Sequence, residues 1–443
     1  MEYTIQEVIQ FVEENDVKFV RLGFCDISGT QKNIAIMASE LGRAFESGIL
    51  FDAAAIYGTA CAKQSDLVLY PDPGTMAILP WRPGQGRVLR FFCDIRNPDG
   101  TPFWGDGRTL LRNAAETLQQ EGYQCKIGPE CEFYLFELDE KGYPTLTPHD
   151  KAGYLEIAPR DRGENVRREI CLTLEEMGIQ PESSHHEQGP GQNEIDFKYS
   201  GALHAADNLI TFKNAVKTIS ARNGLHASFM PKPLRDKSGS GLHINLSIYK
   251  NGLNLFNQMD AGLSGHFMAG ILNRLYEITA FLNPLTNSYA RFGSYEAPGY
   301  IAWSPHNRSV AVRIPAVEGE YSRMELRSPD PACNPYIAFT LLIRAGLEGI
   351  TEKMRLEDPV QIDTYNHGSR EIPSNAGAEI GLRCLPCSLA EAIQAADSSA
   401  FVKRILPEQL LSQYLILQKE QQTAYSMAQD PYEFELRRYF ETV

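Results

Sequence analysis

The stretch KIGPECEFYLFE, residues 126–137, places two glutamates inside a run of apolar and strand-forming residues. In a β-strand, residues two apart point to the same side, so Glu130 and Glu132 project together while Cys131 and Phe133 face away. Two carboxylates on one face repel each other unless a cation or a shared proton compensates them. Solvated charges on an edge strand are the alternative, but the apolar neighbours favour burial on both faces. The stretch therefore predicts a buried strand that carries two metal ligands.

Further acids and one imidazole occur in similar surroundings, in the segments HHEQGPGQNEIDF (185–197), GSGLHINLS (239–247) and SRMELRSPDP (322–331). Taken alone, Glu187 and Glu194 around their Gly-Pro-Gly turn read as solvated loop charges, and His243 as a hydrogen-bonded core residue. Their interpretation as metal ligands depends on the paired carboxylates of Glu130 and Glu132. An oxygen-rich donor set suits Mg²⁺ or Mn²⁺. The six candidate ligands are Glu130, Glu132, Glu187, Glu194, His243 and Glu325.

Four arginines lie close to Glu325 in the sequence, namely Arg308, Arg313, Arg323 and Arg327. By the period of two, Arg323, Glu325 and Arg327 share one face of a strand. Guanidinium groups beside a carboxylate-bound metal hold a phosphate chain and offset charge on a transferring phosphoryl group. A structural ladder of ion pairs is the alternative. The chain has no Walker-type sequence and no protein-kinase signature, so a nucleotide site would be of another type.

The composition is that of an ordinary globular protein of 443 residues and 49.6 kDa, long enough for a large core and a smaller second domain. A net charge of −14 and a pI of about 5.2 argue against nucleic acid or an anionic membrane as partner. We expect neither a signal peptide nor a transmembrane span. Nine dispersed cysteines predict reduced thiols and a cytoplasmic protein, and we attribute the lone pair Cys384 and Cys387 to packing or chance.

The pattern of elements changes near residue 105. A leading helix and short strands with a hairpin turn at Ser28-Gly29 precede it, and a helix with a 3.6-residue period follows FWGDG. We therefore predict an N-terminal domain over residues 1–104 and a catalytic domain over 105–443. Strands and helices are intermixed, which favours an α+β fold, and the tail from residue 388 to 440 is predicted to be helical with breaks at Pro407 and Pro431.

Six ordered blocks resemble the signatures of type I glutamine synthetases, the short bacterial form. They are GPECEFYLF, HHEQGPGQNEIDF, FMPKPL with GSGLH, NSYARFGSYEAP, NRSVAVRIPA and RMELRSPDPACNPY. The resemblance implies an N-terminal β-grasp domain and a catalytic domain with an antiparallel sheet flanked by helices. It also implies a dodecamer of two stacked hexameric rings, in which each active site lies between neighbouring subunits.

The same resemblance implies a ligand set for two or more Mg²⁺ or Mn²⁺ ions and for ATP as co-substrate. Glu132, Glu187 and Glu194 match the ligands of the first metal. Glu130, His243 and Glu325 match those of the second metal. The residues matched to ATP are Glu182, Ser247, Arg308 and Arg313.

For the other substrates, the resemblance implies that Glu296 lies in a flap over the reaction and that Asp52 with Tyr154 forms part of the ammonium pocket. The implied reaction is ATP-dependent formation of glutamine through γ-glutamyl phosphate, with Asp52, Glu296 and Arg308 as the catalytic residues. The residues matched to substrate binding are Tyr154, Ser238, Gly239, Arg291, Glu296 and Arg327.

The sequence departs from the family pattern around the amine and the acid. The family's Phe-Asp-Gly-Ser-Ser is replaced by FDAAA at residues 51–55, so a hydroxyl beside Asp52 is replaced by a methyl. Ser238 replaces an asparagine, Gln188-Gly189 replace Val-Ala, and the segment 291–296 is one residue shorter. Three functions therefore remain open: a glutamine synthetase, a γ-glutamyl ligase that uses a larger primary amine, or a catalytically weak regulatory paralogue. The segment around Tyr365 lacks the adenylylation motif, so we expect no adenylylation.

Overall fold

The two largest hydrophobic cores among the described residues are one formed by N-terminal residues and a larger one behind the second sheet. The predicted division into residues 1–104 and 105–443 stays a prediction. No helix of the described residues is both long and apolar enough to cross a membrane. The computed structural model describes residues 3–56, 65–82, 84–257, 262–361 and 381–443.

The N-terminal sheet is built on the predicted hairpin. Strands β1 (Val17–Cys25) and β2 (Gln31–Met37) pair antiparallel across the turn at Ser28-Gly29, which confirms that prediction. β1 also pairs in parallel with β6 (Arg87–Arg96). The other elements are α1 (Ile5–Glu14), α2 (Leu41–Ser47), β3 (Ile49–Asp52), β4 (Asp66–Pro71) and β5 (Ala77–Ile78). The strand order is β2-β1-β6-β4-β3, and β5 pairs with β6.

The second sheet is centred on β7 (Tyr123–Leu138), which is buried over most of both faces as its sequence predicts. The other strands are β8 (Pro144–Pro148), β9 (Pro181–His186), β10 (Gln192–Phe197), β11 (Ser200–Gly201), β12 (Leu225–Ser228), β13 (Leu242–Lys250), β14 (Leu253–Asn254), β16 (Trp303–Pro305), β17 (Val312–Ile314) and β18 (Met324–Leu326). Its main order is β16-β17-β18-β13-β7-β10-β9, and every pair except β16 with β17 is antiparallel. A separate pair joins β15 (Tyr300–Ile301) to β19 (Arg383–Cys384).

Helices flank this sheet, which confirms the predicted α+β class. The helix expected after FWGDG begins at Gly107, where the Asp106 carboxylate accepts a hydrogen bond from the Arg108 amide. Pro407 caps one tail helix and Pro431 begins another, so the predicted breaks are confirmed. The helices are α3 (Gly107–Gln120), α4 (Glu164–Glu176), α5 (Ala202–Arg222), α6 (Leu263–Leu282), α7 (Pro335–Thr351), α8 (Leu389–Ser398), α9 (Ala400–Ile405), α10 (Glu408–Ser426) and α11 (Pro431–Tyr439).

Asn334 joins the N-terminal hairpin to the second core. Its side-chain amide donates to the carbonyls of Asp26 at 3.3 Å and Ile27 at 3.2 Å. Its Oδ1 accepts from the Tyr336 amide at 3.0 Å and so caps α7. Gly29 has φ +83°, and a Cβ there would lie 2.8 Å from the Asn334 Cα. One side chain therefore holds both the helix start and the hairpin turn.

Replacing Asn334 by alanine is expected to lower the free energy of unfolding by about 1–2 kcal/mol, because α7 loses its cap and two carbonyls lose their donor. Urea unfolding measures the change. The matched control is Asn113→Ala, at an exposed position of α3, which should stay within about 0.5 kcal/mol of the parent. Equal unfolding midpoints for both variants would show that the Asn334 contacts contribute nothing.

Candidate functional site

Strand register brings the predicted acids together on one face of the second sheet. β10 pairs Glu194 with Glu132 and Asp196 with Glu130. On the other side of β7, β13 places His243 opposite Glu130. Because opposed residues of an antiparallel pair project to the same face, these five side chains form one continuous polar group on the sheet.

The first cluster consists of Glu130, His243 and Glu325. The His243 Nδ1 atom lies 3.4 Å from Glu130 Oε2 and 3.7 Å from Glu325 Oε1. One potential ligand atom from each residue lies within 4.8 Å of the other two. Asn245 stands opposite Glu325 and donates to Glu130 Oε1 at 2.7 Å. These are the three residues that the resemblance assigns to the second metal.

The second cluster surrounds Glu194. Glu132, Glu194 and His243 form one group of potential ligand atoms within 4.8 Å, and His185, Glu187 and Glu194 form another. The His185 Nε2 lies 2.9 Å from Glu187 Oε1. The three residues expected to bind the first metal thus come together as two overlapping groups that share Glu194.

Two members of this polar face were missed by the sequence interpretation. Asp196 forms a further group of potential ligands with Glu130 and Glu194, again within 4.8 Å. It follows Glu194 by two positions in a strand, so the same period of two would have found it. His185 stands opposite Glu194, and only the pairing of β9 with β10 places it there.

Burial and mutual repulsion oppose ionisation of several acids on this face. Burial, with the nearby Glu187 adding to it, raises the pKa of Glu132 to about 7. Burial and the neighbouring acids raise the pKa of Glu194 well above its ordinary value, and burial with Glu130 raises that of Asp196 to about 6. Carboxylates that resist ionisation together are stabilised by a bound cation. The donor set of oxygens and imidazole therefore fits hard divalent metal ions.

Glu325 is in the opposite electrostatic situation. Burial alone would raise its pKa, but Arg327, His243 and Arg313 outweigh burial and lower it to about 2. Arg313 donates to Glu325 Oε2 at 2.6 Å, and Arg327 hydrogen-bonds Oε1. The arginine ladder considered as an alternative is therefore present, and it borders the first cluster.

A second group of arginines lines the other end of the site. Arg291 is 3% exposed, and its guanidinium donates to the carbonyls of Ser328 and Pro329, both at 3.1 Å. A Cβ at Gly239 would lie 2.5 Å from the Arg291 Cγ, so this close approach requires glycine. Arg308 is half exposed, and its guanidinium lies 3.7 Å from the Glu296 carboxylate.

Two adjoining cavities contain almost all the predicted site residues. The larger one is about 430 Å³. The smaller one, of about 220 Å³, is lined by Glu182 and Ser247 and shares Glu130, Asp196 and Arg323 with the larger. The predicted residues on the larger cavity are Glu130, Glu132, Tyr154, Glu187, Glu194, Ser238, Gly239, His243, Arg291, Glu296, Arg308, Arg313, Glu325 and Arg327.

Asp52 lines neither cavity of its own chain. It ends β3 in the N-terminal sheet, where its carboxylate accepts from the Ala54 amide at 2.8 Å. Ala53 is fully buried in the N-terminal core, whereas Ala54 and Ala55 are exposed. The methyl of Ala53 therefore points into the N-terminal core, and those of Ala54 and Ala55 are accessible beside Asp52. The weakened ammonium site stays a prediction.

Two further expectations concern cysteine and adenylylation. Cys387 has a free thiol, and its Sγ donates to Glu391 at 2.8 Å. Within the described ranges, no group of potential metal ligands includes a cysteine. Tyr365 lies outside the described residues, so the absence of adenylylation stays a prediction.

The fold and the site can be compared with known proteins. Residues 16–98 match the family model of the glutamine synthetase β-grasp domain, and residues 104–437 match that of the glutamine synthetase catalytic domain. The chain belongs to the glutamine synthetase family. The predicted β-grasp domain followed by a catalytic domain is thereby confirmed, and the protein is an ATP-dependent ligase that forms carbon–nitrogen bonds.

Relatives within the glutamine synthetase family resemble the chain over nearly its whole length. The glutamine synthetase of Methanosarcina mazei is 45% identical over 98% of this chain and 97% of its own. That of Clostridium saccharobutylicum is 46% identical over 93% of this chain and 94% of its own. Among solved structures, a GmaS/ADP complex has a TM-score of 0.86 at 27% identity, covering 99% of both chains. The structure of Plasmodium falciparum glutamine synthetase has a TM-score of 0.84 at 25% identity, covering 98% of this chain and 99% of its own.

Proposed function

We propose that this ligase uses ATP to phosphorylate the γ-carboxylate of glutamate and joins the acyl phosphate to ammonium, giving glutamine. The observation that carries the proposal is the adjacency of the two acidic clusters and the arginines around one cavity. In the first step a carboxylate oxygen bonds to the γ-phosphorus, and the bond to ADP breaks. In the second, the amine nitrogen bonds to the acyl carbon and phosphate leaves.

The acidic clusters supply the proposed metal sites. Glu132, Glu187 and Glu194 would hold one Mg²⁺ or Mn²⁺, and Glu130, His243 and Glu325 would hold another. When bound, the ions would neutralise charge on the ATP phosphates and on the acid. ATP would extend into the smaller cavity, past Glu182 and Ser247. Support for nucleotide binding by this fold comes from the similar structure that was solved as a complex with ADP.

The arginine-rich end of the cavity is the proposed place for the phosphates and the acid. Arg308 and Arg313 would orient the phosphate chain through fixed guanidinium donors. Glu296 would close over the acyl phosphate and exclude water. Its backbone has φ +66°, and that of Tyr295 has φ +48°, which are strained values for residues other than glycine. The residues proposed to hold glutamate are Tyr154, Ser238, Gly239, Arg291, Glu296 and Arg327.

The ammonium site is proposed to need a second subunit. Ammonium becomes a nucleophile only after it loses a proton, and Asp52 is the proposed acceptor. Because Asp52 lies outside the cavity of its own chain, we place it in the site of a neighbour. This arrangement supports a ring oligomer, and we propose the dodecamer of two hexamers that the family resemblance implies. We also propose that the enzyme works in the cytoplasm.

A larger primary amine is the second candidate substrate. Ala54 and Ala55 are exposed beside Asp52 and offer methyl groups where the family pattern has serines. Without a hydroxyl the pocket holds ammonium less firmly, and a small apolar substituent on the amine gains contact with the methyls. With a larger amine as substrate, the Asp52 carboxylate would still be the proton acceptor.

Restoring the hydroxyl with Ala55→Ser is expected to raise kcat/KM for ammonium about 10-fold, because one hydrogen bond to the cation is regained. ATP turnover and product formation should be measured with glutamate and ammonium, methylamine, ethylamine and longer amines. Ala35→Ser, at an exposed position of β2, is the matched control and should change nothing. We expect the parent to have a low affinity for ammonium.

Each outcome of this assay separates the candidates. A parent that uses ammonium efficiently, ignores larger amines and gains nothing from Ala55→Ser is an ordinary glutamine synthetase. A parent that prefers an alkylamine is a γ-glutamyl ligase for amines. No turnover with any amine would contradict the proposed function and leave the catalytically weak regulatory paralogue.

A further inference from the structure

Three departures from the family pattern lie together beside the larger cavity. Gln188 and Ser238 are fifty positions apart in the sequence, yet both line the cavity. The Ser238 hydroxyl donates to Gln188 Oε1 in a long hydrogen bond of 3.4 Å. The backbone carbonyl of Ser238 accepts from the Tyr134 hydroxyl at 2.6 Å. Gln188 and Ser238 are therefore parts of a single arrangement.

Gly189 is the third departure, and its missing side chain makes room for this arrangement. A Cβ at Gly189 would lie 2.0 Å from the Tyr134 hydroxyl and 2.7 Å from Gln192 Oε1. Any other residue would push the tyrosine hydroxyl away from the Ser238 carbonyl. The glycine, the buried tyrosine and the serine thus fix the position of the loop against which the Gln188 side chain rests.

The Gln188 carboxamide presents hydrogen-bond donors to the cavity. Its Oε1 accepts from Ser238, whereas the two N–H groups of its Nε2 donate to none of the described residues and remain accessible at the cavity. The adjacent Glu187 carboxylate already accepts from the Gln188 amide at 3.0 Å and lies 2.9 Å from His185 Nε2. A carboxylate oxygen of a bound acid is the acceptor that matches a neutral N–H donor at this place.

We propose that Gln188 is a specificity-determining residue of this ligase and that its carboxamide, braced by Ser238, donates a hydrogen bond to a carboxylate of the amino-acid substrate. The inference rests on the proposed function, because it requires an acid in this cavity. Selectivity would come from the loss of this bond with acids that do not reach Gln188. A site built to pair a polar group rejects analogues that leave the group unpaired.

Two substitutions of similar size test the proposal. Gln188→Leu removes the donors, and Gln188→Glu replaces them with a negative charge that faces the substrate carboxylate. We expect KM for glutamate to rise about 10-fold in the first and further in the second, with KM for ATP unchanged in both. Ser238→Ala should also raise KM, and its effect should be smaller in the Gln188→Leu background, where the carboxamide that Ser238 braces is already gone. Gln180→Leu, at an exposed position away from the cavity, is the matched control.

The outcomes distinguish this inference from the proposed function. If the parent shows no glutamate-dependent ATP turnover, the proposed function fails and the inference fails with it. If the parent is active and Gln188→Leu keeps the parental KM for glutamate, the inference alone is overturned. A Gln188→Glu variant that binds glutamate as well as Gln188→Leu does would also overturn it, because a carboxylate acceptor must be repelled by the new charge. Unchanged thermal unfolding of each variant shows that the fold is intact.

Discussion

Replacing Glu130 by glutamine is expected to lower metal-dependent ATP turnover by at least about 100-fold. The substitution removes one negative charge at nearly constant volume, while Asn245 and His243 remain beside it. Glu325→Gln should cause a similar loss of turnover. It should also destabilise the protein, because Arg313 and Arg327 both hydrogen-bond the Glu325 carboxylate in a buried setting. Glu130→Gln is therefore the more informative variant.

Phosphate release with and without added Mg²⁺ or Mn²⁺ measures the effect, and thermal unfolding reports on the fold. The matched control is Glu140→Gln, an exposed glutamate on the turn after β7, which should keep the activity of the parent. Undiminished phosphate release by both Glu130→Gln and Glu325→Gln would refute the assignment of two metal sites to this face of the sheet.

Mixed oligomers of two inactive variants are expected to recover activity. Asp52→Asn removes the proposed proton acceptor, and Arg308→Ala removes a proposed phosphate contact, so each variant alone should be inactive. Suppose that Asp52 serves the site of a neighbouring subunit and that the two variants co-assemble randomly in equal amounts. About a quarter of the sites should then combine an intact Arg308 with an intact Asp52. Each variant carries a different tag, and particles purified through both tags should show a turnover that approaches this fraction of the parent's turnover.

The control for this experiment is the chain that carries both substitutions, co-assembled with itself, which should stay inactive. Parent-like activity of a monomer on a sizing column would contradict an inter-subunit site. So would mixed particles that contain both variants in equal amounts and show no more turnover than either variant alone.

Local sequence patterns predicted much of this protein. The alternation in KIGPECEFYLFE placed Glu130 and Glu132 on one face of a buried strand, because side-chain direction in a strand depends only on neighbouring residues. The hairpin turn and the helix breaks at Pro407 and Pro431 were predicted for the same reason. Glycine and proline act on the backbone of their own segment.

Local patterns therefore established the six candidate metal ligands, the shared face of Glu130 and Glu132, and the helix breaks at Pro407 and Pro431. The tertiary structure alone decided which residues stand opposite one another, as with His185 beside Glu194, Gln188 beside Ser238, and Asp52 outside the cavity. Partners of this kind are fixed by strand register and loop packing. These depend on hydrogen bonds and packing between segments far apart in the chain, which no local period encodes.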